Sequence, residues 1–218
     1  MHVIMKNTPL LIGICGASGS GKSYFSDHLV KELRMIYESF RIESFSLDRY
    51  YLGIEEKTSA ERAAHNFDHP NQIDYPLFEK HLQEIRRGSS VDIPNYDYAR
   101  SYRTGETDRL DPCDLLLIDG LHLFHSDSIR ELFSLKVFIH TPLVECEQRR
   151  VVRDVLERGQ SEKIVRQQYQ RNVIPMFREF IAPKQELADL VIQGTDEVCM
   201  NNRIVLEQLA PLLEKIKR

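Results

Sequence analysis

Short, almost unbroken apolar runs alternate along the chain with longer stretches in which apolar residues recur every three or four positions. The short runs fall at residues 10–15, 42–47, 114–119, 135–140 and 190–193. Three of them are apolar nearly throughout, as expected of strands covered on both faces. The longer stretches, at 22–37, 75–87, 126–133, 143–157, 162–180 and 196–216, carry helical periodicity. This alternation predicts an α/β fold, a mostly parallel five-stranded sheet between two layers of helices. One segment breaks the rhythm. Val91-Asp92-Ile93-Pro94-Asn95-Tyr96-Asp97-Tyr98 alternates with period two, and Arg100, Tyr102 and Arg103 follow it. It predicts a small β-hairpin insert over about residues 91–105. Ligands of doubly wound sheets gather at the C-terminal strand ends, where an aromatic, basic insert would wall in a second substrate.

Between the first predicted strand and the first predicted helix lies Gly16-Ala17-Ser18-Gly19-Ser20-Gly21-Lys22-Ser23. It is a complete match to the phosphate-binding loop G-x-x-x-x-G-K-[ST], in the strand–turn–helix setting that gives the motif meaning. The glycines let backbone N–H groups curl round a phosphate, and the helix N-terminus adds partial positive charge. Lys22 is expected to reach the β- and γ-phosphates of ATP, and the Ser23 hydroxyl to ligate Mg²⁺. Tyr24 follows directly and joins the nucleotide-binding candidates. A chance glycine-rich turn would require four fixed positions and both flanking patterns to coincide.

The run Leu115-Leu116-Leu117-Ile118 ends in Asp119-Gly120. An apolar strand ending in a carboxylate is the usual companion of a phosphate loop, and Asp119 is expected to face the Mg²⁺ shell. Asp48 closes the second run, with Tyr51 three residues on. A carboxylate at that edge can accept the proton of a hydroxyl attacking the γ-phosphorus. It can equally cap the next turn, and spacing alone leaves both readings open.

Length and composition narrow the classes. The 218 residues suit a single domain, 42% hydrophobic and 28% charged, as in an ordinary soluble enzyme. A net charge of −4 disfavours a general nucleic-acid or anionic-membrane surface. No apolar run approaches the length of a membrane span, and residues 1–7 carry no secretory pattern. The cysteines, Cys15, Cys113, Cys146 and Cys199, are scattered without a C-x-x-C pair, which fits a reducing cytoplasm and argues against zinc or a disulfide framework. His65 and His69 stand four apart with no evident third ligand, so no metal role is expected of them. Seven arginines fall between Arg149 and Arg178. Arg149 and Arg153 are expected to share a helix face, with Arg150 pointing elsewhere.

Further blocks are more specific. Asn66-Phe67-Asp68-His69-Pro70, Ile93 to Tyr98, Arg149-Arg150-Val151-Val152-Arg153-Asp154, Glu157-Arg158-Gly159, Gln168-Tyr169, Pro175-Met176-Phe177, Pro183 and Ala188-Asp189 together resemble the uridine kinase (uridine–cytidine kinase) family. The match runs in register from the phosphate loop to about Asp196, and the related phosphoribulokinases share the broader fold. The resemblance implies a P-loop NTPase three-layer sandwich that moves the ATP γ-phosphate to the 5′-hydroxyl of a pyrimidine ribonucleoside, in pyrimidine salvage. It implies Asp48 as catalytic base, with Lys22, Arg153 and Arg158 beside the moving charge. Ser23, Asp48 and Asp119 correspond to the Mg²⁺ shell, directly or through water. Asp68 and Arg150 correspond to residues on the ribose hydroxyls, Tyr96 to the aromatic at the base and Gln168 to a further nucleoside contact. Tyr51 belongs to the same substrate side, and Asp196 falls near the adenine end of ATP. The resemblance also implies a lid over about residues 154–168 and a homotetramer.

This sequence departs from the family pattern at three places. Ser101 stands where a histidine usually helps read the pyrimidine. Gln160 stands where an arginine usually follows Glu-Arg-Gly. The third apolar run ends in Asp-Gly rather than Glu-Gly. Ser101 keeps alive a kinase of the same fold acting on another small alcohol, such as a different nucleoside or a sugar phosphate. A nucleotide-binding regulator is the rival from another class, although no N-K-x-D guanine-reading motif is present.

Overall fold

Five strands, β1 (Leu10–Gly16), β2 (Ile42–Ser46), β5 (Leu115–Asp119), β6 (Leu135–His140) and β7 (Leu190–Gln193), form one sheet in the order β2-β5-β1-β6-β7. Every pairing in it is parallel. A computed structural model describes residues 8–54, 56, 58, 61, 65–98 and 100–216 of the chain. β1 lies at the centre of the sheet, and all five residues of β5 beside it are buried.

Alternate side chains of these strands feed two cores, as a period of two requires. Ile12, Ile14, Leu115, Leu117, Val137 and Ile139 face α1 (Lys22–Ile36), through Phe25, Leu29 and Leu33, and the C-terminal helix, through Val205, Leu209 and Leu213. Leu11, Leu116, Ile118 and Phe138 face α2 (Tyr75–Arg86), through Phe78, Leu82 and Ile85. The three layers are those expected, and the sheet is wholly rather than mostly parallel.

The remaining helices are α3 (Asp127–Arg130), α4 (Leu143–Arg158), α5 (Glu162–Gln168) and α6 (Val198–Glu214). Several differ from the sequence expectation for identifiable reasons. The predicted helix over 126–133 keeps one α-turn before Leu132 and Phe133 tighten onto Ile129 and Arg130. The predicted helix over 162–180 changes pitch beyond α5. Wide π-type turns at Tyr169–Val173 and Phe177–Ile181 flank Ile174–Met176, which contains Pro175. Proline has no N–H to give and its ring crowds the preceding turn, so a locally widened helix accommodates it. The last helix begins at Val198 because Asp196 N–H turns back to the Gln193 carbonyl.

The insert is a hairpin of β3 (Val91–Asp97) and β4 (Tyr102–Leu110), with Val91 opposite Leu110. It extends past the residue-105 boundary expected. Its register shifts between Pro94 and Tyr96, and this bulge sets Tyr96 opposite Arg103.

Candidate active site

The phosphate loop leaves the end of β1 and enters α1 through Gly21. No side chain caps this helix, so its first-turn N–H groups face the loop's hollow. Gly19 has φ +84°, and a Cβ there would lie 2.2 Å from the Cys146 carbonyl oxygen of α4. Only glycine lets the loop and α4 approach this closely. Lys22 Nζ spans the loop, donating to the carbonyls of Gly16 (3.1 Å) and Ala17 (2.8 Å).

Ser23 Oγ donates to Asp119 Oδ1 at 3.0 Å, linking the start of α1 to the end of β5. Ser46 Oγ donates to the same oxygen at 3.3 Å and accepts from Asp48 N–H at 3.3 Å. Asp48 therefore sits one residue inside a 3₁₀ turn (Leu47–Tyr50) rather than on a strand. β2 ends at Ser46 because the serine caps that turn. Burial and the neighbouring Asp48 push the Asp119 carboxyl up to about 6, against Lys22 and the two serine hydroxyls. Burial also raises Asp48. Lys22, Arg153 and Arg158 oppose the rise, and the nearby Asp68 charge adds to it.

Asp48 opens onto a small cavity whose walls include Ser18, Tyr51, Asp68, Tyr96, Ser101, Arg150, Arg153, Arg158 and Gln168. Arg150 Nη1 reaches both Asp68 Oδ1 (2.9 Å) and Ser18 Oγ (3.0 Å), and the ion pair is nearly buried. His122 supports it from behind. Its Nε2 lies 2.7 Å from the Asp68 carbonyl, which can only accept, so this nitrogen carries the proton. Burial lowers His122 to about 4 and keeps it neutral. The tyrosines form one aromatic wall, with Tyr51–Tyr96 and Tyr96–Tyr98 ring centroids 5.8 and 5.3 Å apart. Arg158 lies 5.7 Å above the Tyr98 ring. Ser101 has φ +60° at the hairpin's tip, where its N–H donates to the Asp97 carbonyl at 2.7 Å.

A second pocket of about 420 Å³ opens on the other side of the loop, walled by Ser20, Gly21, Tyr24, Phe25, Arg149, Asp196 and Asn201. The structure thus divides the expected residues. Tyr24 and Asp196 lie at this pocket and Asp48 and the nucleoside candidates lie at the other, while Lys22, Ser23 and Asp119 line neither.

One expectation is reversed. Arg150 and Arg153 both reach the cavity at Asp48, whereas Arg149 turns to the carbonyls of Gly194 (3.0 Å) and Ser20 (3.4 Å). The cause is Asp154, 1% exposed, which binds Arg153 Nε at 2.8 Å, Arg150 Nε at 3.3 Å and Arg158 Nε at 3.5 Å. Asp154 carried no role in the sequence reading, nor did Asn201. Gln160, marked there only as a departure, lines the cavity with a buried, unpartnered Oε1. His65 packs edge-on against Phe67, and His69 caps the turn at Asn71.

Among the described residues no three acidic, histidine or cysteine side chains are grouped to hold a metal. No helix among them is long and apolar enough to cross a membrane.

The model of the Phosphoribulokinase / Uridine kinase family matches residues 11–201. A uridine kinase of Salmonella paratyphi B is 39% identical over 200 residues, 92% of each chain, and that of Salmonella typhimurium matches to the same extent. Solved structures share the fold at lower identity. D-glycerate 3-kinase from Cryptococcus neoformans superposes with a TM-score of 0.63 at 18% identity, covering 87% of this chain and 88% of that one. Phosphoribulokinase from Rhodobacter spheroides gives 0.59 at 17%, covering 88% and 74%. The phosphate loop, the paired carboxylates and a match that spans most of the chain converge: this protein is a kinase, a phosphotransferase with an alcohol acceptor, and belongs to the phosphoribulokinase / uridine kinase family.

Proposed function

We propose that the enzyme transfers the γ-phosphoryl group of ATP to the 5′-hydroxyl of a pyrimidine ribonucleoside, uridine or cytidine, as a salvage reaction. One observation carries the reading: Asp48 shares one cavity with the Asp68–Arg150 pair and with Arg153 and Arg158, and the Lys22 charge also bears on it. In this reading Asp48 accepts the hydroxyl proton as the oxygen attacks. Burial shifts its proton affinity upward, the direction that suits a group taking a proton. Asp68 and Arg150 hold the ribose hydroxyls, which donate as well as accept. Tyr51 and Tyr96 flank the base, with Ser101 and Gln168 at its polar edge. Lys22, Arg153 and Arg158 spread the charge of the group in transit.

Ser23, Asp48 and Asp119 suit Mg²⁺. They offer hard oxygen ligands, and a cation would relieve the burial of both carboxylates and the rise that the Asp48 charge imposes on Asp119. A bound Mg²⁺ would supply neutralisation of phosphate charge.

The test is ADP release from ATP and Mg²⁺ across uridine, cytidine, purine nucleosides, 5′-deoxyuridine and sugar phosphates. Uridine or cytidine should stimulate release strongly and 5′-deoxyuridine should not. Asp48→Asn should lower kcat by about 10²-fold or more while ATP still binds. A sugar phosphate as best acceptor would overturn the nucleoside assignment, and full turnover in Asp48→Asn would overturn the base. ATP binding with no acceptor phosphorylated would favour a regulator.

A further inference from the structure

Two arginines running in opposite directions tie the turn that carries Asp48 to the hairpin that carries Tyr96. Arg49, next to Asp48 in the 3₁₀ turn, reaches out to the bulge in β3. Its Nε donates to the Pro94 carbonyl at 2.7 Å and its Nη2 to the Ile93 carbonyl at 3.3 Å. The same Nη2 meets the side-chain oxygen of Asn95 and, at 2.7 Å, Asp108 Oδ2 of β4. These groups bracket the step between Pro94 and Tyr96 at which the register shifts. A bulge disrupts the ladder locally and re-aims the side chain beyond it. The rigid guanidinium fork is suited to fixing several oxygens at once. Arg103 of β4, opposite Tyr96, runs the other way. Its Nη2 donates to the Tyr50 carbonyl at 3.0 Å, its Nε to the Tyr51 carbonyl at 3.1 Å and its Nη1 to Asp74 Oδ2 at 3.0 Å.

We propose that Arg49 is a positioning residue: it holds the Tyr96 wall and the Asp48 carboxylate as one rigid unit, so that an acceptor packed against Tyr96 presents its hydroxyl to Asp48. The inference rests on that cavity being the acceptor site. Asp48 and Tyr96 line it from two elements distant in sequence, so their separation depends on how those elements are joined. Arg49 lines neither the cavity nor the nucleotide-side pocket, and therefore acts only through the residues it holds. Displacing a catalytic group by about 1 Å can cost on the order of 10²-fold in rate. Binding energy gathered at a remote part of an acceptor raises turnover only where the scaffold transmits it to the reacting end. The bonds to the bulge carry this role rather than the ion pair. Asp108 is 66% exposed in that pair, and an exposed pair contributes little.

The test is a double-mutant cycle on the full chain: Arg49→Met, which keeps the aliphatic stem, Tyr96→Leu, and the two combined. Turnover is measured with the best acceptor among uridine, cytidine, purine nucleosides and sugar phosphates. Arg49→Met should lower kcat/KM for the acceptor about tenfold, while calorimetric ATP affinity without acceptor stays within about twofold. In the Tyr96→Leu background the same substitution should cost no more than about threefold, because the wall it positions is gone. Arg49→Lys should fall between, since an ammonium lacks the fork. Asp108→Asn should stay within about twofold. Losses that multiply in the cycle, as general loosening would give, overturn the inference. So does unaltered turnover in Arg49→Met, or a loss in Asp108→Asn as large as that in Arg49→Met. If Arg49→Met fails to fold, Arg49→Lys serves in the same cycle. A sugar phosphate as best acceptor counts against the nucleoside reading alone, because the cycle is then read with that compound. Turnover of no acceptor defeats both.

Discussion

Asp119 concentrates the conflict between fold and function in one side chain. Its carboxyl is held at about 6 against an ordinary 3.8, chiefly by burial and then by Asp48. A carboxyl whose folded value is raised binds protons more tightly in the native state. Its contribution is therefore most favourable below about pH 4 and is lost as pH rises through 6. At pH 7.5 the charge costs up to about 3 kcal/mol in the absence of a cation. Asp119→Asn keeps an oxygen for the Ser23 and Ser46 hydroxyls and removes that charge. Without nucleotide or metal the variant should melt about 5 °C higher at pH 7.5, with the gain vanishing near pH 4. Turnover should fall steeply. Melting curves across pH check this, and a lower melting point at pH 7.5 would mean that other groups already neutralise the charge. For the unaltered enzyme, Mg²⁺–ATP affinity should weaken as pH drops through 6, because proton and cation compete for the same oxygens. Lys22, Ser23 and Asp119 were legible in the sequence as candidates because each stands at a fixed offset from a strand end, whereas for Asp48 spacing left a turn cap equally open and the family resemblance made the choice. Asp154 was not, because its significance lies in burial and in partners met only after folding. The arginines misled for a related reason: helical spacing places Cα atoms, whereas Asp154 decides where the long side chains go.

At the level of elements, contact between α4 and the phosphate loop matters more than the strength of either alone. Two glycines separate backbone conformation from packing. Gly159 ends α4 with φ +64° and has open space where a Cβ would go. Gly159→Ala should therefore cost only the left-handed conformation, about 1 kcal/mol. Gly19 has a similar φ, but its added Cβ would meet the Cys146 backbone at 2.2 Å. Gly19→Ala should cost several-fold more and weaken ATP binding at least about tenfold, since the loop must leave α4 to make room. Urea unfolding of both variants, with ATP titrations, separates the two effects. Equal losses would mean that the contact is soft. All five sheet strands were legible, three of them because near-continuous apolar runs survive any arrangement of the helices around them, and the others by their place in the strand–helix alternation. β4 was underestimated because Arg103 to Asp108 are mostly exposed and include no large apolar residue, so a strand open on both faces leaves no alternation to read. The pitch changes after α5 were hidden for another reason. Apolar spacing over 162–180 tolerates a wide turn, and Pro175 alone does not say whether a helix stops or widens.

On the scale of the whole molecule, an acidic chain has placed seven of its nineteen arginines along α4 and the helical segment that follows. Asp154 makes that concentration tolerable by pairing with three guanidiniums at once. The cavity they line measures about 120 Å³, below the roughly 300–1,000 Å³ usual for small-molecule sites. Under the proposed reading, a nucleoside would be admitted by outward movement of the segment expected to form the lid, residues 154–168, carrying the last turn of α4 with it. Arg158 over Tyr98 is the contact that such a swing must break. On this view the segment keeps water from the phosphates, and Asp154 holds it in register. Asp154→Asn leaves Arg150, Arg153 and Arg158 repelling one another in a largely buried place. Stability should fall by about 3 kcal/mol. Phosphoryl transfer should slow by about tenfold or more, while ADP release without any acceptor rises relative to it, because a loosened cover admits water. Measuring ADP with and without uridine gives that ratio directly. A variant that loses stability but keeps the ratio would make Asp154 a scaffold residue and deny the 154–168 segment its role as a cover.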